Sequence, residues 1–335
     1  MDPLSHAVTG AAIGALVSGR PGLRAGLIAG ALAGMAPDLD IFLRSETDPL
    51  LHLEFHRGFT HSLFFGPILA LASAAIFHPF VRSRLPFARN FLVCLAAIWL
   101  HGLLDAATSY GTSLYWPFSD ARVGWNMIAV IDPLYTAPAL GLVAATFFGC
   151  RLRWSALALL WMGGYVALGG VQRERAQRAI EAEAQRRGHS AVAAEAKPSI
   201  FNQVVFRTVY RVEDSYFVDA VRVGYFGSVK VYPGSEVPVF DRATAFPDLP
   251  AESRLARDIE RFGHFSMGFL YQVPGNPEIV ADLRYALVPN AIDPLWGILV
   301  DPARAEEHAP FETFREVTPE RRDHFRRMLL GQPLP

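Results

Sequence analysis

Histidine and aspartate side chains stand at the ends of apolar segments in the first third of the chain. Two aspartates lie in the motif PDLD, two histidines in HRGFTHS, and one of each in HGLLD. With a histidine near the amino terminus, the set is His6, Asp38, Asp40, His56, His61, His101 and Asp105. Imidazole and carboxylate groups without thiolates suit Zn, Mn or Fe. The sequence therefore predicts a divalent metal centre, with Zn as the first choice.

The elements that must position these residues are apolar segments. The chain has 335 residues, 51% hydrophobic and 19% charged, and a mean hydropathy of +0.22. This composition favours an integral membrane protein with room for two domains. Segments that approach the spanning length of about 20 residues are 63–81, 91–107, 130–150 and 154–171. A formal net charge of −1 gives no reason to expect a nucleic-acid partner.

Two shorter runs rich in glycine and alanine precede these segments. They cover 7–17 and 23–35 and are joined by SGRPGLR. Small residues let helices approach closely in lipid, so the pair predicts a tight hairpin, either two short spans or a re-entrant pair. A buried hairpin of a soluble protein is the alternative. The predicted fold is an α-helical multi-spanning membrane domain of about six helices, the first two short, over 1–172.

The composition changes after the last apolar segment. The stretch QRERAQRAIEAEAQRR predicts a solvated helical linker over 173–198, ended by Pro198. Segments rich in β-branched and aromatic residues follow, so 199–335 is predicted to be a mostly β (α+β) soluble domain. Thr318 and Pro319 have the types expected at the start of a last helix. His264 and His308 are interpreted as surface or packing residues of this domain, whose role is open.

Topology brings the candidate ligands together. If every helix crosses the membrane, all seven positions fall on one side, whereas unrelated polar residues would scatter between the two sides. Thr60 is expected to cap the third helix and to place His61 in its first turn. His101 and Asp105 are four residues apart, so they share a helix face. This convergence favours one metal site over separate structural roles, such as packing histidines or a helix-ending turn.

The arginine distribution predicts the orientation of the protein. Loops opposite the site carry Arg20, Arg24, Arg82, Arg84, Arg89, Arg151 and Arg153, whereas the site side carries Arg44, Arg57 and Arg122. The positive-inside rule then places the site and the C-terminal domain outside the cytoplasm. The cluster Arg173, Arg175 and Arg178 points the other way.

The motifs resemble the YdjM-like membrane-bound metal-dependent hydrolases. The resemblance covers about 1–172 and rests on SHAVTG, PDLD, HRGFTHS, HGLLDAATSYGT, WPFSDAR and IDPLYT. It implies a multi-pass inner-membrane protein with metal-dependent hydrolase activity. A weaker similarity links the histidine and aspartate pattern to the zinc-dependent phospholipase C and P1 nuclease group. The chain has one clear HxxxD and no N-terminal tryptophan, which argues against a three-metal site.

These observations together predict metal-assisted hydrolysis at the membrane edge. One or two ions lower the pKa of a bound water, and the substrate is a lipid-linked molecule or a phosphoester. Asp40, Arg57 and Asp105 are the catalytic candidates; Arg57 either binds a phosphate or extends toward the membrane surface. Which carboxylate is a ligand and which a general base stays open. The alternatives are a non-catalytic protein with a structural metal and a metal transporter, and polar groups gathered at one end of the helices count against transport.

Overall fold

The computed structural model describes residues 1–190 and 193–334. The chain forms two compact units. The first contains Met1–Leu43 and Phe55–Gly170, and the second contains Arg44–Glu54 and the chain from Val171 onward. The short segment between the PDLD and HRGFTHS motifs thus folds with the C-terminal half of the protein.

The first unit is helical. Its helices are α1 (Pro3–Met35), α3 (Gly66–Val81), α4 (Phe87–Ala107), α5 (Pro133–Gly149) and the first part of α6 (Leu152–Arg186). Two 3₁₀ segments, η1 (Pro37–Phe42) and η2 (Phe59–His61), lie between α1 and α3. The short helix α2 (Leu51–Phe55) lies between them and falls mostly in the second unit.

Helix α1 is a hairpin of two arms. Gly19 has a φ of 69°, a left-handed conformation that glycine adopts without strain, and the chain reverses there. The arms pack backbone against backbone: a Cβ atom at Gly10 would lie 2.2 Å from the carbonyl oxygen of Gly30, and one at Gly14 would lie 2.2 Å from that of Gly26. The tight hairpin predicted from the glycine and alanine content is confirmed.

Several helices are long and apolar enough to cross a membrane. Within residues 1–190 and 193–334, Pro3–Phe42, Phe87–Ala107 and Leu152–Arg186 meet this criterion. A fourth candidate is the pair Leu51–His61 and Gly66–Val81, which is bent by 83°, and Pro133–Gly149 is a shorter apolar helix. A helical N-terminal region with three to four candidate membrane spans is therefore confirmed, and the crossing of all six predicted helices stays a prediction.

The start of the third helix differs from the prediction. Thr60 and His61 belong to η2, and α3 begins only at Gly66. The Ser62 hydroxyl accepts hydrogen bonds from the backbone N–H groups of Phe64 and Phe65, so a turn separates the two elements. The prediction that Thr60 caps the third helix was wrong, and the amino end of α3 does not lie at His61.

The linker also differs from the prediction. Helix α6 continues without a break into the charged stretch and ends at Arg186. The helical interpretation was wrong at its far end, because Ala193–Pro198 form strand β1, which pairs antiparallel with β2. Strand pairing overrode the helix-favouring composition of AAEAKP.

The C-terminal domain contains two antiparallel sheets. The first has the order β1-β2-β3-β4 and the second β5-β6-β7-β8. The remaining strands are β2 (Val205–Val212), β3 (Ser215–Val223), β4 (Val229–Pro238), β5 (Leu270–Val273), β6 (Asn276–Asp282), β7 (Trp296–Leu299) and β8 (Phe311–Thr313). The helices of this domain are α7 (Arg242–Ala245), α8 (Arg254–Phe265) and α9 (Pro319–Leu330). Thr318 caps α9, and the mostly β fold is confirmed.

Candidate metal centre

Two histidines form the middle of the polar cluster in the first unit. His101, on α4, is buried, and its Nδ1 lies 2.6 Å from the carbonyl oxygen of Gly34. A carbonyl only accepts, so Nδ1 carries the proton and Nε2 keeps its lone pair. His61 is held in the same way. Its Nδ1 lies 2.9 Å from the Thr60 hydroxyl, which in turn donates to Asp40. Both rings therefore present an unprotonated Nε2 when neutral.

The two Nε2 atoms face each other across a short gap. They are 2.9 Å apart. Asp38 Oδ1 lies 3.4 Å from Nε2 of His61 and 3.5 Å from that of His101. Asp105 Oδ2 lies 3.2 Å and 3.7 Å from the same two atoms. Ligands held about 2.0–2.1 Å from a tetrahedral Zn²⁺ stand about 3.3 Å from one another. The spacing of the four donor atoms therefore fits such an ion.

The charges and lone pairs of the cluster also favour a bound cation. Two lone pairs at 2.9 Å repel each other unless a positive charge lies between them. Asp105 Oδ2 is buried and makes no hydrogen bond within the described residues, although it lies close to both rings. A buried carboxylate oxygen without a hydrogen bond is costly. A divalent cation bound among these atoms would separate the two lone pairs and give this oxygen a partner besides the Arg57 guanidinium, which lies near it without a hydrogen bond.

Asp105 is also surrounded by positive and polar groups. His6 Nε2 lies 3.1 Å from Oδ1 of Asp105, and the His6 ring stacks on His101 with a centroid distance of 3.6 Å. The amino group of Met1 donates a hydrogen bond to the same carboxylate oxygen. Arg57 Nε lies 3.1 Å from Oδ2. Asp105 thus contacts His6 and the amino group of Met1 through Oδ1, and Arg57 and the two inner histidines through Oδ2.

Arg57 is buried rather than open to solvent. Its guanidinium donates to the Thr108 hydroxyl at 2.8 Å and lies 4.7 Å from the centre of the Tyr110 ring. The backbone of Arg57 has a φ of 62°, a left-handed conformation that is uncommon outside glycine. Together with the contact to Asp105, this geometry fixes the guanidinium against the cluster.

Asp40 forms the outer part of the cluster. Its Oδ1 accepts from His56 Nδ1 at 2.9 Å. Its Oδ2 accepts from the Thr60 hydroxyl and from the backbone N–H of Arg57, and it lies 3.3 Å from Nδ1 of His61. Asp40 is buried, whereas His56 is partly exposed. Asp38, Asp40 and His56 also offer donor atoms close enough to one another to hold a metal.

Close backbone contacts position the inner histidines. A Cβ atom at Gly34 would lie 2.6 Å from the carbonyl oxygen of His6, and one at Gly102 would lie 2.6 Å from that of His61. The second arm of α1 therefore reaches His101 with its carbonyl groups, and α4 lies directly against η2. The absence of side chains at these two positions brings the ligands within reach of one another.

The structure brings all seven predicted residues together. The inner group is Asp38, His61, His101 and Asp105, with His6 beside it and Asp40 and His56 outside it. Which of them bind a metal, and which act in catalysis, stays a prediction. Asp132 caps α5 and accepts from the Tyr165 hydroxyl. His78 lies in the last turn of α3, against Phe87.

Sequence reasoning missed the groups that hold the ligands. These are the Gly34 carbonyl, the hydroxyls of Thr60 and Thr108, and the Tyr110 ring. A backbone carbonyl leaves no trace in residue type. The glycines of the hairpin were a usable signal, because only a close approach of the two arms explains them.

The polar motifs and the helical unit match a known family. The model of the YdjM inner membrane protein family matches residues 1–176. The chain belongs to this family. The match contains the whole polar cluster and ends within α6. An inner-membrane location follows from membership of the YdjM family.

Two relatives show how far the similarity extends. The chain is 29% identical over 173 residues to "Inner membrane protein YbcI" of Escherichia coli (strain K12), which covers 50% of this chain and 94% of YbcI. It is 28% identical over 159 residues to "Uncharacterized protein YfhP" of Bacillus subtilis (strain 168), which covers 44% of this chain and 47% of YfhP. No solved structure matches the chain.

Proposed function

We propose that this YdjM family protein is a membrane-bound metal-dependent hydrolase. The observation that carries the proposal is the pair of Nε2 atoms of His61 and His101, 2.9 Å apart, with both Nδ1 atoms engaged elsewhere. Carboxylate oxygens of Asp38 and Asp105 surround the pair. In this proposal His61, His101 and Asp105 hold one divalent ion, for which Zn²⁺ suits the donor set.

Asp38 has a special place in this proposal. Its side chain is 18% exposed, whereas the side chains of His61, His101 and Asp105 are fully buried. A hydrolytic zinc site keeps one position for water or substrate, and a structural site is closed by four protein ligands. Asp38 lies at the only ligand position of this group with access to solvent, so we assign that position to exchange with substrate.

The remaining residues orient the ligands. Asp40 and Thr60 hold the His61 ring through Nδ1, and partners of this kind fix the tautomer and raise the basicity of the ligand. Arg57 lies on Asp105 and neutralises part of its charge. We therefore propose Asp40 and Arg57 as positioning residues. Binding of a substrate phosphate by Arg57 would require its guanidinium to leave Asp105.

The chemistry proposed is hydrolysis of a lipid-linked phosphoester. A bound divalent ion supplies a Lewis acid that polarises the phosphoryl oxygen and acidifies a water molecule. Hydrolysis of the ester bond adds water to it and releases an alcohol and a phosphate group. The surroundings of the site support a substrate with a lipid tail, because Phe64, Trp116 and Phe118 are exposed nearby, as aromatic residues at a membrane interface are.

The proposed orientation places the metal centre outside the cytoplasm. It rests on the excess of arginine in the loops opposite the cluster. The C-terminal domain follows α6, and under this orientation it is also extracytoplasmic. The three arginines just after the apolar part of α6 oppose this assignment, and cysteine labelling from one side of the membrane tests it.

The experiment combines metal analysis with a substrate screen. Protein purified in detergent is expected to contain close to one tightly bound ion per chain, and to cleave a lipid phosphoester from a broad panel. His101→Ala should lose the ion and the activity. His78→Ala is the matched control, because it removes a histidine of the same unit that lies outside the cluster. Retention of metal and activity by His101→Ala would contradict the proposal.

A structural metal is the second candidate function, and the four-donor group itself favours it. Asp38→Ala separates the two. If the ion is catalytic and held by three buried ligands, this variant keeps most of its metal and loses turnover. If the ion is structural, the variant loses both metal and thermal stability, and the wild type cleaves no member of the panel.

A further inference from the structure

The segment Arg44–Glu54 connects the two halves of the metal cluster along the chain. Asp40 precedes it by four residues, and His56 follows it by two. The segment nevertheless folds with the C-terminal domain rather than with the helical unit. Contacts that fix or free this segment therefore affect the backbone positions of Asp40 and His56, because both residues are close to it in the chain.

One arginine of the C-terminal domain holds the segment. Arg261, on α8, forms a bidentate pair with Asp48, with Nη2–Oδ2 2.8 Å and Nη1–Oδ1 3.1 Å. Its Nε lies 2.5 Å from Glu54 Oε1. Nη1 also donates to Asp258 on the same helix at 2.7 Å. Bidentate arginine–carboxylate pairs are the stronger and more directional kind of ion pair.

The arginine itself is firmly anchored. Asp258 is buried and accepts from His308 Nδ1 and from the backbone N–H of Ala309, each at 2.9 Å. The Glu54 and Asp48 hydrogen bonds raise the pKa of Arg261 above its ordinary value, although burial opposes them. A second contact joins the segment to the domain, since the His52 ring meets Phe311 edge to face at 5.5 Å.

We propose that Arg261 is a positioning residue for the metal centre, acting through the segment Arg44–Glu54. By fixing the middle of this segment at Asp48 and its end at Glu54, it restricts the backbone that leads to His56 and, over a longer stretch, to Asp40, which in turn orients His61. The C-terminal domain then has a defined role, which is to hold the two metal motifs in register. This inference rests on the proposed metal centre.

The unequal extent of the relatives agrees with an added role of this kind. YbcI is matched over 94% of its length by about half of this chain. The remaining 6% of YbcI is too short to contain a second domain. YbcI therefore contains the helical unit without a second domain of this size, and in this chain the C-terminal domain would act as a supplement to that unit.

The test uses the full chain in detergent and measures metal affinity, not only activity. Arg261→Ala should weaken binding of Zn²⁺, measured by competition with a chelator, by about tenfold, the lower end of the range for groups that orient ligands. Arg261→Lys should recover part of the loss, and Asp48→Asn should reproduce it from the other side. Arg304→Ala is the control, because it removes an exposed ion pair of the same domain, with Glu307.

Hydrogen exchange provides a second measurement on the same variants. Arg261→Ala should speed exchange in 44–54 and also in 56–62. Faster exchange confined to 44–54, with Zn²⁺ affinity unchanged, would overturn the positioning role. If the wild type binds no metal, the proposed metal centre fails by itself, and exchange in 56–62 then decides whether Arg261 positions that motif.

Discussion

At the scale of residues, the tautomers of two histidines determine what the cluster can do. The Nδ1–H group of His101 donates a hydrogen bond to a backbone carbonyl. The Nδ1–H group of His61 donates to the Thr60 hydroxyl, which in turn donates to Asp40. Each arrangement leaves Nε2 as the donor for a cation. A histidine with a free choice of tautomer would present the wrong nitrogen part of the time and bind the ion more weakly.

Thr60→Val tests this arrangement. Valine keeps the shape of threonine but neither accepts from His61 nor donates to Asp40. We expect the affinity for Zn²⁺ to fall by about 10- to 100-fold, the usual effect of losing a group that orients a ligand. The measurement is competition with a chelator of known affinity.

Thr146→Val is a suitable control for Thr60→Val. Thr146 is a buried threonine of the same unit whose hydroxyl bonds to the Leu142 carbonyl within α5. Its replacement should leave metal affinity unchanged. Equal affinities of the Thr60 and Thr146 variants would show that the tautomer of His61 does not depend on Thr60.

At the scale of elements, the α1 hairpin carries two parts of the cluster. His6 lies on its first arm and the Gly34 carbonyl on its second, and both contact His101. The hairpin packs on α4 through small residues, since Ala33 clusters with Cys94 and Ala97. The distance between the arms therefore sets the position of His101 relative to its partners.

Gly30→Ala should open the hairpin. The new Cβ atom would lie 2.1 Å from the Gly10 carbonyl oxygen, and a backbone atom cannot move aside as a side-chain tip can. We expect a loss of about 1–3 kcal/mol of stability, as for overpacked cores, together with weaker metal binding. Thermal unfolding in detergent and metal competition provide the measurements.

Gly163→Ala is the matched control for Gly30→Ala. Gly163 lies on α6, and a Cβ atom there would meet no atom within 4 Å. This variant should unfold at the wild-type temperature or slightly above it, because alanine favours helix over glycine. If Gly30→Ala behaved in the same way, the close packing of the two arms would be contradicted.

The elements that the sequence predicted well are those with a local signal. The hairpin follows from its small residues, and α9 follows from Thr318 and Pro319. Two errors arose where tertiary contacts decide. Strand β1 has few β-branched residues and exists because β2 supplies a partner. Thr60 is a good cap by type, but its hydroxyl is used by Asp40 instead. The route of Arg44–Glu54 left no local signal at all.

At the scale of the whole molecule, the proposed orientation in the membrane can be tested by labelling a cysteine. The chain contains a suitable probe. Cys150 is exposed at the end of α5, whereas Cys94 is buried within α4. Arg151 and Arg153 follow Cys150, so the proposed orientation places this thiol in the cytoplasm.

A membrane-impermeant maleimide reports which side Cys150 faces. In intact spheroplasts, Cys150 should stay unlabelled, and it should react after the cells are opened. Ala121→Cys in a Cys150→Ser background is the complementary probe, because Ala121 is exposed in the loop after α4, near the cluster. It should react in intact spheroplasts. The reverse pattern would place the metal centre in the cytoplasm.

In the proposed metal centre, the positions of the four inner residues along the chain also impose an order on biogenesis. Asp38 and His61 emerge from the ribosome before α4, and His101 and Asp105 emerge with it. Two of these residues alone would hold a divalent ion weakly, so loading of the inner group would have to wait until α4 has inserted beside the hairpin. The ion would then link Asp38 and His61, on η1 and η2, to His101 and Asp105 on α4. A chain stalled before residue 101 is expected to carry no metal at the inner group.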